Sequence, residues 1–262
     1  MLLSNKIPFP EMPGNSDSRG WCRYCSPQGF FPLTTAPIPW LAGAALVACA
    51  LGLYLGLAVA LVDLRQGEAA RIAFIHVPAS RLSMFVYLLA AIAAGVGLVW
   101  KNARLAPMVA LALAPTGLLM AFLSLWTSSL WSKSILGIWW ATDVHTLSEL
   151  AMVLFFLAFI GVDAVLESRQ RANTVGALLL MAGLVSIPVH LATAPAGAGG
   201  HLATSGIADI ASFSIGESAS LIAMSFGFLF YAGAAVLLRL RCVILENERE
   251  SDWVARYGRG GR

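Results

Sequence analysis

Six long apolar runs organise this chain. Trp40–Val62 is the first and holds no charged residue. Leu82–Trp100, Leu105–Trp126, Leu150–Leu166, Thr174–Val189 and Ser218–Leu238 follow. A helix needs about 20 mainly apolar residues to cross a bilayer. Four of the runs reach or approach that length as they stand. The fourth is expected to start a turn earlier, near Thr146, and the fifth is short. The pattern predicts an all-α, polytopic membrane bundle of about six transmembrane helices.

The polar flanks divide the chain further. Residues 1–36 form a Pro- and Gly-rich extension without an apolar core near its start, so no cleavable signal peptide is expected. Residues 37–240 carry the six spans. Residues 241–262 are mixed in charge and are expected to form a tail with a frayed amphipathic helix.

Composition excludes a water-soluble alternative. Hydrophobic residues make up 58% of the chain and charged residues 12%, about half the charged share of a soluble domain. The net charge of +3 is small, but its distribution orients the bundle. Lys6, Arg19, Arg23, Lys101, Arg104, Arg169, Arg171 and the six arginines from Arg239 onward fall on one side. Only Arg65, Arg71, Arg81 and Lys133 fall on the other. The positive-inside rule then predicts cytoplasmic termini and opposite loops that face outward, to the periplasm of a Gram-negative cell. The aromatic residues are not interleaved with Lys and Arg, which argues against a nucleic-acid surface.

On this topology His76, His145, His190 and His201 all belong to outward loops or outer helix ends. Neutral imidazole is the usual nitrogen ligand of metals and haem iron. His76 lies in Arg71-Ile-Ala-Phe-Ile-His76-Val-Pro78, just before the second span, with Pro78 expected in that helix's first turn. Two roles fit it: an interfacial histidine satisfied by water or backbone, or an axial ligand. In the second role Arg71 and Arg81 would pair with carboxylates such as haem propionates. His201 follows a glycine-rich stretch, Ala194-Pro-Ala-Gly-Ala-Gly-Gly200, and is either a solvated loop residue or a ligand that binds and releases. His190, two residues after Pro188, is expected to pack or cap.

The outward segment between the third and fourth spans is rich in tryptophan. Trp126 and Trp131 fit interfacial anchors. The pair Trp139-Trp140, followed by Asp143, fits a shelf for a flat apolar ligand, and Asp143 also suits an N-cap of the fourth helix. Glu149 lies near the outer end of that helix, where an ionisable group marks a function or snorkels to water. Glu217 has the same two readings. Cys22-Arg-Tyr-Cys25 is a C-x-x-C without a following His, which excludes haem attachment. It supplies only half of a four-thiolate zinc site. Cys49 lies inside the first span and fits inert packing.

Several of these segments together resemble the cytochrome c maturation protein C family, CcmC. They are Ile75-His-Val-Pro-Ala79, Gly137-Ile-Trp-Trp-Ala-Thr-Asp143 with Leu147-Ser-Glu-Leu150, Ile38-Pro-Trp-Leu-Ala42, Ala112-Leu-Ala-Pro-Thr-Gly117 and Ile187-Pro-Val-His190. The resemblance runs in order from about Pro32 to the end. Its Trp-rich part is similar to the WWD signature of haem-handling proteins. Leu136 and Thr142 stand where that family has Trp, His145 replaces a basic residue, and the last outward loop lacks Trp. The resemblance implies that haem b is held on the outer face of the inner membrane and passed to the haem chaperone CcmE. It implies association with the ABC-transporter subunits CcmA and CcmB and with CcmD. Carried over by position, it implies His76 and His201 as axial ligands of the iron, and Trp139, Trp140 and Asp143 as the platform. It implies no enzyme activity.

Two other classes stay open at this level. A b-type haem membrane oxidoreductase would need histidines within the spans, which the predicted spans lack apart from His190 at an end. A channel or carrier would need charged or broken mid-span helices. No charge falls at mid-span in the predicted register, although Pro115 and Gly117 interrupt the third run.

Overall fold

The computed structural model describes residues 26–60, 67–100, 102–193 and 215–254. Among these residues it contains helices and no strand, and six helical segments are long and apolar enough to cross a membrane. A short helix α1 (Pro27–Phe30), capped by the Ser26 hydroxyl, leads through a 3-10 turn (Phe31–Thr34) into α2 (Pro37–Tyr54). A π-helical turn (Leu55–Val59) closes α2. A 3-10 lead-in (Glu68–Ile72) opens α3 (Ala73–Val99), and α4 spans Leu105–Leu136. Then come α5 (Val144–Val165), α6 (Arg169–Gly183), α7 (Ser186–Ala192) and α8 (Ile215–Asn247). The helices α6 and α7 together form the fifth span, broken at Leu184–Val185.

Local chemistry explains the boundaries that matter for the site. Gly137 ends α4 in the left-handed conformation, at φ 76°, which glycine adopts without a Cβ clash. Lys133 donates to the Gly137 carbonyl at 3.0 Å, satisfying an acceptor that the helix leaves free. Asp143 starts α5 by accepting from the Thr146 N–H at 2.9 Å, as its type and position predict. At the other end of the bundle, Arg169 pairs with Asp163 at 2.8 Å across the α5–α6 turn.

Short connections make α3 and α4 an antiparallel pair at the centre, with α5 and α6 against it and α2 with α8 beside it. The core is tightly packed. Tyr87 and Phe156 are fully buried, their rings meeting edge to face at 4.9 Å. The Tyr87 hydroxyl donates to the Leu180 carbonyl at 3.0 Å, so its one polar atom is satisfied. Gly117 on α4 lets Phe156 lie directly on the helix backbone: a Cβ there would come within 2.2 Å of Phe156 Cζ. Gly117→Ala is therefore expected to destabilise the bundle by about 1–3 kcal/mol, the usual cost of overpacking. Thermal unfolding in detergent, followed by size-exclusion chromatography, measures it.

Outside, the bundle is apolar. Trp40, Leu46, Val47, Trp100 and Val165 are all more than half exposed, as lipid-facing residues must be. Trp40 and Trp100 lie at the end of the bundle where α2 begins and α8 ends, and Trp126 lies toward the other, the distribution of interfacial anchors.

Several boundaries differ from the sequence expectation. The α3 helix begins at Ala73, ahead of the start expected around Pro78, so Pro78 is its sixth residue and His76 and Arg81 lie within the helix. Packing extends it: Phe74 is buried against Ala60 and Leu221. The α4 helix continues ten residues past Trp126, which turns Trp131–Leu136 from loop into helix. The α8 helix continues to Asn247 because Leu240 and Ile244 remain buried against Phe31 and Met108. Arg241 stacks over the Phe31 ring at 4.6 Å, and Trp253 meets the same ring at 5.8 Å.

Candidate functional site

At the end of the bundle opposite the start of α2 and the end of α8, four helices bring polar side chains together inside an apolar frame. The α3 helix contributes His76 and Ser80, α4 contributes Ser124 and Thr127, α5 contributes His145, Ser148 and Glu149, and α7 contributes His190. Each set is a helical stripe. Residues four apart on a helix share a face, so His145 with Glu149, and His76 with Ser80, point the same way. Counting 1.5 Å per residue from Leu105, Ser124 stands about 29 Å along α4, close to the depth of a hydrocarbon core. The last three turns of α4 extend past that level.

Hydrogen-bond chemistry fixes the protons on two of the histidines. The Ser148 hydroxyl donates its only proton to the His145 carbonyl at 2.6 Å. Its oxygen therefore accepts from His190 Nδ1, 3.1 Å away. That leaves His190 Nε2 to accept from the Ser80 hydroxyl at 2.9 Å. His190 has both nitrogens satisfied and is 6% exposed; it is a packing residue, as its position beside Pro188 predicts. Its ring lies 4.1 Å from that of His145, tilted by 31°, and so holds His145 in place.

His76 follows the same logic with a different outcome. Its Nδ1 lies 3.2 Å from the Ser124 carbonyl and 3.1 Å from the Thr127 hydroxyl. A carbonyl only accepts, and Thr127 donates its own proton to the Leu123 carbonyl at 2.7 Å. Nδ1 therefore carries the proton and Nε2 presents a lone pair. That lone pair faces Glu149 Oε1 at 3.8 Å. Glu149 is 4% exposed, so it neither snorkels nor reaches water. Its Oε1 accepts from the Ser124 hydroxyl. Its Oε2, and His145 Nδ1, are buried without a well-formed hydrogen bond. The His145 ring lies 6.4 Å from the His76 ring. His76, His145 and Glu149 together offer three ligand atoms within 4.8 Å of one another.

The residues singled out in the sequence fall into three groups. His76 is in this cluster, and so are His145, Glu149 and His190. Trp139 and Trp140 lie on the short segment between α4 and α5, 55% and 39% exposed. Lys133 Nζ sits 5.7 Å above the Trp139 ring. Asp143 uses a side-chain oxygen for its cap. Arg71 is engaged: it pairs with Glu68 at 2.9 Å and donates to the Leu57 carbonyl, tying the α3 lead-in to the end of α2. Arg81 is exposed on α3. His201 and the Cys22/Cys25 pair lie outside the described residues.

One expectation is corrected here. The spans were expected to lack histidines apart from His190, yet His76, His145 and His190 all lie within helices of spanning length. The reason is the earlier start of α3 and α5, which draws residues assigned to loops into the bundle. Glu149 lies about 7.5 Å along α5 from Val144, near the outer end of the helix as its position predicts, and it is buried there. The hydroxyls of Ser80, Ser124, Thr127 and Ser148 were not singled out in the sequence. Their only signal was the i, i+3 and i+4 spacing of Ser124, Thr127 and Ser128 in an apolar run.

Residues 20–255 match the family model for CcmC, the haem exporter protein C. The chain is 32% identical over 218 residues to the haem exporter protein C of Escherichia coli K12, covering 83% of this chain and 88% of that one. It is 31% identical to the Haemophilus influenzae protein of the same name, covering 88% and 94%. It is 37% identical over 164 residues to that of Bradyrhizobium diazoefficiens, covering 63% and 62%.

Proposed function

From the premise that this chain belongs to the haem exporter protein C family, we propose that it holds haem b at the outer face of the inner membrane and delivers it to the chaperone CcmE. The family assigns the chain to haem export in cytochrome c biogenesis, as a multi-pass membrane protein. It is a haem-transport family rather than an enzyme family.

The observation that carries the reading is a pair of exposed indoles at the bundle end that holds the histidines. Trp139 and Trp140 leave 55% and 39% of their surface exposed, which is apolar ring area open to a ligand. Such a surface suits a flat apolar ligand. His76 is the partly exposed histidine of the cluster, with 18% of its side chain accessible. Its Nε2, already free of a proton, is the atom that would bind iron. His201, on the last outward loop, would supply the second axial nitrogen. Arg81, exposed on α3, would pair with a propionate, while Arg71 holds Glu68 and the Leu57 carbonyl. Transfer to CcmE would then be an exchange of axial ligands, with CcmA, CcmB and CcmD as the complex in which it happens.

Absorption spectroscopy of the detergent-purified protein, oxidised and reduced, tests the reading. A bis-histidine, low-spin b-type spectrum is expected at one haem per chain. A protein that takes up no haem, or one whose spectrum is unaltered in His201→Ala, overturns it. A b-type haem oxidoreductase predicts in addition a steady-state quinol oxidation, which is expected to be absent.

A further inference from the structure

We propose that His76, His145 and Glu149 form a binding site for a divalent transition-metal ion of the zinc class, occupied when haem is not bound. The proposal goes beyond haem handling and shares only His76 with it.

Three observations lead to it. The first is the donor set. Two imidazoles and a carboxylate, contributed by α3 and α5, place their ligand atoms within 4.8 Å of one another. Bonds of about 2.0–2.2 Å to zinc need ligand atoms about 3.4 Å apart in a tetrahedron, so these atoms close in by no more than about 1.5 Å. The His76–Glu149 separation, 3.8 Å, is nearly there.

The second is electrostatic. Nδ1 of His76 donates, so Nε2 turns a lone pair toward a carboxylate oxygen. Two electron-rich atoms face each other in a buried setting, and a proton or a metal ion between them makes the contact favourable. Glu149 Oε2 and His145 Nδ1, both in buried residues, lack a well-formed hydrogen bond, with Ser128 and the His190 backbone as their nearest polar groups. Buried polar atoms are rarely left so. One bound ion would satisfy the cluster.

The third is the support around the ligands. Ser124 donates to Glu149 Oε1, the Ser124 carbonyl and Thr127 hydroxyl hold His76 Nδ1, and the His190 ring backs His145. Outer partners of this kind orient metal ligands and set their tautomers. His190 is excluded as a ligand because both its nitrogens are used. The partial exposure of His76 provides the entry, and a fourth position stays open to water.

Nitrogen and carboxylate donors without thiolate suit zinc, cobalt or ferrous iron rather than copper(I). The ion and haem iron would compete for His76 Nε2, so loading one excludes the other.

Cobalt(II) titration of the full chain, purified in detergent, stripped of haem and treated with chelator, tests the site. The expected result is one equivalent bound, with the intense visible absorption of a four-coordinate ion, bleached by zinc and by added haem. His145→Ala and Glu149→Gln are each expected to weaken cobalt binding at least about 100-fold. Glu149→Gln retains an acceptor for Ser124, and His145→Gln replaces His145→Ala should that variant aggregate. Cys22→Ser/Cys25→Ser is expected to bind cobalt as the wild type does. Binding that survives Glu149→Gln and His145→Gln, binding lost with the cysteines, or no binding by the wild type overturns the proposal. Wild-type protein that binds haem but no cobalt sinks the metal site alone. Protein that binds cobalt but no haem sinks the haem reading alone.

Discussion

His76→Ala is expected to lose haem almost completely on purification. Removing outer partners of a metal ligand costs about 10–100-fold in affinity, and removing the ligand itself costs more. His76 also has neighbours that depend on it: the Ser124 carbonyl and Thr127 hydroxyl on one nitrogen, Glu149 on the other. Loss of haem alone would therefore not separate ligation from folding. His76→Met makes the distinction. It keeps the bulk of the side chain and replaces nitrogen by a thioether. If His76 binds iron, the variant retains some haem with a spectrum changed from bis-histidine toward histidine–methionine. Stoichiometric haem with an unchanged spectrum in both variants excludes His76 as a ligand.

The double substitution Trp139→Ala/Trp140→Ala has the second largest expected effect. A tryptophan buries roughly 150–250 Å² when fully covered. Covering about 100 Å² of each indole with porphyrin, at about 25 cal/mol per Å², contributes roughly 2.5 kcal/mol per ring. Each ring would then account for about 70-fold in haem affinity. The fold should be nearly indifferent to the change. Both residues are substantially exposed, and Trp139 makes its one ring contact with Lys133, which is held independently by the Gly137 carbonyl. Haem dissociation followed by transfer to an apoprotein trap measures the effect, and thermal unfolding of the haem-free protein checks the control. A large loss of stability with unchanged haem retention would mean that these rings serve the bundle and not the ligand.

These experiments bear on one chemical relationship. The same imidazole nitrogen that would bind haem iron faces a buried carboxylate in the structure. Glu149 is costly to bury as an anion without a counter-charge. Loading haem at His76 would take Nε2 away from Glu149, and release would return it. Family membership, with 31–37% identity to haem exporter C proteins, places the chain in haem export, and the bundle's own chemistry adds this buried partner.

The sequence by itself determined the membrane class, the six spans, the even topology that puts both ends of the bundle's chain together, and the exposed Trp139–Trp140 pair. Each is a local property: a run of apolar residues, or a short polar break rich in Trp. It also carried His76 and the Asp143 cap, because the residue types around them define a helix start. Only the tertiary structure decided that His76, His145, His190 and Glu149 meet, with Ser80, Ser124 and Ser148 as their partners. Helices in lipid are apolar on every face, so the pattern along α3, α4 or α5 does not mark which side turns inward. The inward faces are set by contacts between helices, such as Phe156 seated on Gly117 and Tyr87 bonded to Leu180. Those contacts rotate each helix until its few polar residues face one another rather than lipid, where an unpaired polar group would cost several kcal/mol.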